Sequence, residues 1–223
     1  MAENLKNFNW PGWPLKNNPY GEDFDLEARK RMVTGSKMLL SFINKYKGNL
    51  GSVILEVGPF FNPLITPRNF PKAKIFYWEN DYYVIKYLKK LYSKKEIYPI
   101  FSDLNKIEGN SFLKLKLETQ KNFKTKKISF DSVIISHVFN YIDYKLFLMT
   151  LKEFIKKDGL IFINNVADYG LPTFFSERRP KSIQETIKIL KETGYTIIEK
   201  KVFESQNKKH QKNQRLIIVA KSN

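Results

Sequence analysis

From residue 52 to residue 221 the chain alternates short runs of β-branched and aromatic residues with amphipathic segments of helical period, and this alternation restricts the fold more than any other feature. Candidate strands fall at 52–57, 74–79, 97–101, 130–135, 159–164, 195–203 and 215–221, with helical segments at 82–93, 144–157 and 182–193. Ahead of them, residues 22–46 place Phe24, Leu26, Met32, Val33, Met38, Leu39, Leu40, Phe42 and Ile43 at roughly helical spacing, and Lys47-Gly48 ends the segment. Strands alternating with helices predict an α/β fold: a seven-stranded, mostly parallel sheet covered on both faces and built from right-handed crossovers. The last two strands are separated only by S-Q-N-K-K-H-Q-K-N-Q, which predicts an antiparallel pair at the sheet edge. Residues 1–20 carry three prolines and no helical period, and read as an irregular aromatic arm containing Trp10, Trp13 and Tyr20.

Composition narrows the chemistry. A chain of 223 residues with 42% hydrophobic content buries one sizeable core and is read as a single domain. Residues 1–20 lack the pattern of a secretory signal, and no stretch reaches the roughly 20 apolar residues of a membrane span, so the expectation is a soluble, cytoplasmic protein. The absence of cysteine excludes disulfides, thiolate metal ligands and a cysteine nucleophile. His137 and His210 are the only imidazoles, so no metal site is expected. The net charge of +17 suits phosphate contacts, but of 39 basic residues only 6 are arginine. Lysine rises here together with asparagine, isoleucine, phenylalanine and tyrosine, the set expected of an AT-rich coding sequence.

The stretch V-I-L-E-V-G-P-F-F-N-P at 53–63 ends the first strand with one glycine, followed by proline, two phenylalanines and asparagine. In open α/β sheets, ligands bind beyond the carboxyl ends of the strands where strand order reverses, and the first strand-to-helix turn usually lies there. Gly58 permits a close backbone approach. Pro59 removes an N–H donor, and Phe60 and Phe61 stand where a dinucleotide fingerprint needs further glycines. A pyrophosphate cradle is therefore poorly supported, and Glu56 adds a negative charge that favours a cation over a phosphate.

E-V-G at 56–58, the acidic residue in Y-W-E-N-D at 77–81, S-D-L at 102–104 and F-D-S-V-I-I-S-H-V-F-N-Y-I-D at 130–143 together resemble the class I S-adenosylmethionine-dependent methyltransferases. The resemblance covers about residues 50–221 and includes the terminal antiparallel strand pair. It implies a single Rossmann-like domain over 1–223, in which 1–47 supplies the arm and a helix beside the acceptor pocket and 48–223 forms the cofactor-binding core. A sulfonium cofactor without phosphate would need one close backbone approach and several carboxylates, which suits the single glycine.

By position, the resemblance implies Gly58, with Pro59, Phe60 and Asn62 in its loop, beside the methionine and ribose part of S-adenosylmethionine. Glu56 would act on the ammonium, directly or through water. Glu79, next to Asn80, would accept from the ribose hydroxyls, with Asp81 as the alternative carboxylate. Asp103 would accept from the adenine amino group while the Leu104 N–H faces the ring. Ser136 and His137 would line the methionine side, and His137 is the candidate catalytic residue. Phe60 and Asn62 depart from the glycines common in the family. S-H-V-F at 136–139 differs from the N/D-P-P-Y pattern of enzymes acting on adenine or glutamine amides, and resembles the branch that methylates O, N or C atoms of small molecules. Trp10, Trp13, Tyr20, Asn140, Tyr141 and Arg178, with Arg179 beside it, would surround the acceptor. The alternatives are an enzyme acting on structured RNA through the basic segments 105–129 and 204–215, and a catalytically silent binding module that keeps the fold.

Overall fold

A computed structural model describes residues 35–60, 62–92, 97–102, 129–139, 142–167, 180–203 and 214–223, with 115, 117 and 120 from the segment between. The first helix, α1, is described over 35–45. It is followed by β1 (Val53–Val57), β2 (Lys74–Glu79), α2 (Tyr82–Leu91), β3 (Ile97–Phe101), β4 (Phe130–Ser136), α3 (Tyr144–Leu151), β5 (Ile155–Ala167), α4 (Ile183–Glu192), β6 (Tyr195–Phe203) and β7 (Gln214–Ser222).

The seven strands form one sheet in the order β3-β2-β1-β4-β5-β7-β6. β1 pairs in parallel with β2 on one side and β4 on the other, so the strand order reverses between β1 and β4. β7 runs antiparallel to both β5 and β6, the edge pair expected from the sequence.

Successive side chains of a strand point to opposite faces, and here both faces are dry. On β2, Phe76 and Trp78 join one core with Val133, Ile161, Phe147 of α3 and Leu190 of α4. Ile75 and Tyr77 join the opposite core with Leu39 and Ile43 of α1 and Val84 and Leu88 of α2. All four β2 residues are completely buried. A strand with no solvated face reads as a continuous apolar run, as K-I-F-Y-W-E does.

Helix starts follow local chemistry. The Asp143 carboxylate accepts from the Leu146 N–H at 3.1 Å and caps α3, and the Ser182 hydroxyl accepts from the Glu185 N–H at 3.0 Å to cap α4.

One helix ends earlier than its period predicts. The segment expected as helix 144–157 stops at Leu151, and the chain enters β5 from Ile155. Phe154 donates its N–H to the Leu151 carbonyl and accepts the Phe130 N–H at 2.7 Å, which ties the chain to the start of β4. Asp158 (φ +65°) and a register shift between Phe130 and Ser132 absorb the bend. Ile155 fits a helical stripe as well as a strand, so pairing with β4 decides. At its far end β5 runs past the candidate strand 159–164 to Ala167, and Asn164 and Asn165 pair with Ile217 and Leu216.

Candidate functional site

The carboxyl ends of β2, β1, β4 and β5 and the start of β7 form one edge of the sheet, on the face that α1 covers. Strand parity places Glu56 with Ile54, Glu79 with Tyr77, Asn164 with Phe162 and Arg215 with Ile217, all on that face.

At the centre is Gly58, with φ +64° and its N–H on the Trp78 carbonyl at 2.8 Å. A Cβ at this position would lie 2.7 Å from Val138 Cγ2. Glycine is thus required twice over, by a left-handed backbone and by the turn after β4 pressing on it. Pro59 is buried, Phe60 adopts φ +52°, and Asn62 is exposed. A side chain larger than hydrogen at 58 would fill the gap between the turns after β1 and β4.

Two buried carboxylates shape the following loop. Glu56 accepts from the Leu64 N–H at 2.8 Å through Oε1 and the Ile65 N–H at 3.0 Å through Oε2. Burial pushes its carboxyl up to about 7, against the two amide hydrogen bonds, with the Glu79 charge adding to the rise. Glu79 accepts from the Asn80 and Asp81 N–H groups through Oε1 at 2.8 and 3.1 Å, and from the Phe60 N–H through Oε2 at 3.1 Å. Burial raises its carboxyl as well, opposed by those three amides. A carboxylate offers about four lone-pair sites, so Glu79 keeps accepting capacity beside its backbone partners whereas its burial limits what can reach it. Asn80 itself is exposed.

Across the switch point, His137 has φ +60° and donates its N–H to the Asn164 carbonyl at 2.8 Å. The residue is only 9% exposed. Nε2 lies 3.2 Å from Asn164 Nδ2 and 3.1 Å from an Arg215 terminal nitrogen, which also donates to Asn164 Oδ1 at 2.8 Å. Asn164 Nδ2 reaches the Ser136 hydroxyl at 3.0 Å. Above this network sits Gly35 of α1, where a Cβ would fall 1.8 Å from the same Arg215 nitrogen.

The structure therefore brings Glu56, Gly58, Pro59, Phe60, Glu79, Ser136 and His137 to one edge. Asp103, Leu104, Asn140, Tyr141, Arg178, Trp10, Trp13 and Tyr20 lie outside the described residues. Sequence reading passed over Gly35, the Asn164 side chain and Arg215. A signal for Arg215 did exist: it is one of 6 arginines among 39 basic residues, placed at the start of an apolar strand where lysine would have been the usual cation here.

No family model and no curated protein sequence matches the chain. Solved structures do match in shape. The N-methyltransferase NodS of Bradyrhizobium japonicum WM9, in complex with S-adenosyl-L-homocysteine, is 16% identical with a TM-score of 0.60, covering 99% of this chain and 95% of that one. The magnesium protoporphyrin IX methyltransferase ChlM of Synechocystis PCC 6803, with bound SAM, is 11% identical with a TM-score of 0.60, covering 100% and 96%. The [4+2]-cyclase SpnF is 9% identical with a TM-score of 0.61, covering 84% and 80%. The strand order, the antiparallel β7 and the full-length similarity in shape agree: this protein has the Rossmann-like fold of the class I S-adenosylmethionine-dependent methyltransferases.

Proposed function

We propose that the protein is an S-adenosylmethionine-dependent methyltransferase that moves a methyl group to an O, N or C atom of a small molecule. The observation that carries this reading is the pairing of Gly58, in a left-handed turn at the strand-order switch, with the buried Glu79 carboxylate at the end of the adjacent strand. A ligand with a ribose and no phosphate fits this edge. Gly58 gives close approach without a multi-glycine cradle, and Glu79 has accepting capacity for hydroxyl hydrogens. The structures of NodS with S-adenosyl-L-homocysteine and ChlM with bound SAM support this cofactor.

S-adenosylmethionine, when bound, supplies a methyl group already activated on a sulfonium. The chain's own residues then have to orient and shield. Glu79 would hold the ribose hydroxyls. Glu56, with both oxygens on the amides of Leu64 and Ile65, would fix the loop over the ligand and add negative potential beneath its ammonium. Ser136 and His137 would line the methionine end, with Asp103 and Leu104 at the adenine. The acceptor side would be formed by Trp10, Trp13, Tyr20, Asn140, Tyr141 and Arg178. Rate would come chiefly from holding the nucleophile in line with the S–methyl bond.

The similarity in shape to a [4+2]-cyclase favours a second reading, in which the fold is kept for other chemistry. Thermal shift with S-adenosylmethionine, its demethylated product, NAD and ATP separates these readings by mass action. The expected result is stabilisation by the first two alone. Stabilisation by NAD and not by S-adenosylmethionine would overturn the proposal, and binding without methyl transfer to any acceptor in a broad panel would favour the second reading.

A further inference from the structure

The network on the far side of the switch point dictates where the His137 ring carries its hydrogen. Arg215 and Asn164 come from different strands, β7 and β5, and both reach the same ring nitrogen. A guanidinium has donors and no acceptor, and it does not deprotonate in proteins. One Arg215 nitrogen thus donates both to Asn164 Oδ1 at 2.8 Å and to His137 Nε2 at 3.1 Å. Because Asn164 Oδ1 takes that hydrogen bond, the other end of the amide is the NH2 group, directed at Ser136 Oγ at 3.0 Å and at Nε2 at 3.2 Å. Turning the amide over would set its NH2 group against the guanidinium, so its orientation is fixed. His137 Nε2 faces two N–H donors and must be the bare nitrogen, which leaves the ring hydrogen on Nδ1.

We propose that Arg215 is a positioning residue that locks His137 as its neutral, Nδ1-protonated tautomer, so that Nε2 does not serve as a base at the switch point. Protonation at Nε2 would press an N–H against two donors and set a second cation beside a buried first one. Among the described residues, Arg215 from β7 and Asn164 from β5 both aim N–H groups at Nε2, and Asn164 is steadied by the Ser136 hydroxyl of β4. Above them α1 presents Gly35, which carries no side chain, and a Cβ there would collide with the guanidinium and lie 2.9 Å from Asn164 Nδ2. Among the described residues, the carboxylates at this edge, Glu56 and Glu79, are engaged by loop amides. The helix backbone thus closes the network and keeps Arg215 in place.

The lock bears on the substrate, a consequence that rests on the methyltransferase reading. His137 cannot remove a proton from the acceptor, so any proton the acceptor must lose goes to a group other than this imidazole. An acceptor that depends on this imidazole for deprotonation does not suit the site.

Long-range proton–nitrogen NMR on the full chain tests the lock directly, since His137 and His210 are the only histidines and a His210→Gln variant assigns the remaining ring. Wild-type His137 is expected to show Nδ1–H with bare Nε2 at neutral pH. In Arg215→Met the His137 pattern should become a tautomer average, and Arg215→Lys should restore part of the lock. A wild-type ring with Nε2–H, an averaged pair, or a doubly protonated ring at neutral pH would overturn the proposal, and this holds even if Arg215→Met does not fold. No cofactor enters the measurement, so the two readings fail separately. A locked ring in a chain that binds no S-adenosylmethionine by calorimetry removes the role in transfer, and an averaged ring in a chain that binds it removes the lock alone.

Discussion

Glu56 and Glu79, at the ends of adjacent parallel strands, hold the two ends of one loop: Glu79 takes the amide of Phe60, and Glu56 takes those of Leu64 and Ile65. A loop with Pro59 and Pro63 has few hydrogen-bonding options of its own. Its path is therefore set by carboxylates beneath it, and those carboxylates are desolvated in return.

That desolvation predicts an unusual pH dependence. Burial raises the Glu56 carboxyl from the ordinary 4.5 to about 7, so the folded chain binds the proton more tightly than the unfolded one. The stabilisation from Glu56 is therefore full below about 4.5 and is lost as pH rises through about 7. Relative to Glu56→Gln, the wild type should lose about 2 to 3 kcal/mol between about pH 5 and pH 8, read from urea unfolding at the two values. A difference that stays constant or grows with pH contradicts the assignment.

Glu79 should matter to binding as well as to the loop it anchors. Removing a carboxylate that accepts ribose hydroxyls costs about 1.5 to 3 kcal/mol, so Glu79→Ala is expected to bind S-adenosylmethionine about 10- to 150-fold more weakly by calorimetry. Unchanged affinity in a folded variant would transfer the ribose role to Asp81.

Gly58→Ala carries two separable penalties. A left-handed backbone costs an alanine roughly 1 to 2 kcal/mol, and its Cβ would press on Val138 Cγ2 at 2.7 Å. Denaturant midpoints should fall accordingly, and adding Val138→Ala should relieve the steric part while leaving the conformational part. Full recovery in the double variant would mean that backbone conformation costs nothing here.

A distant carboxylate provides the contrast. Asp131, at the opposite end of the sheet, accepts from the Ser52 and Val53 N–H groups at 2.9 Å each and pairs with Lys156. Burial pushes its carboxyl up, but Lys156 and the two amides outweigh it and hold the group below the usual carboxylate range. Its stabilisation is thus present above the unfolded value and lost as pH falls. Asp131→Asn should cost about 1 to 3 kcal/mol near neutrality, progressively less below about pH 4, and should leave S-adenosylmethionine affinity unchanged. Weakened binding in this variant would show that the sheet transmits the perturbation to the site.

How far the sequence reaches can be judged element by element. The β2 run K-I-F-Y-W-E announced a strand buried on both faces, and the short connection between the last two strands announced their antiparallel pairing, because burial and chain length act locally. Gly58 and Glu79 were legible for the same reason: each sits at a strand end, and the topology of alternating elements fixes where strand ends lie. Where helical and strand periods both fit, as at Ile155, the helical reading of the sequence misled, because the choice was made by the hydrogen bond from the Phe130 N–H to the Phe154 carbonyl. The network of Gly35, His137, Asn164 and Arg215 depends wholly on tertiary structure. Its members come from α1, the turn after β4, β5 and β7, and they meet because register sets Asn164 beside Ser136 and Arg215 opposite Val166, two residues further along β5. The sequence determined the periodicities, and through them the layers of the fold. Register across the sheet, which no local pattern encodes, decided that an arginine from the last strand would hold the imidazole at the switch point.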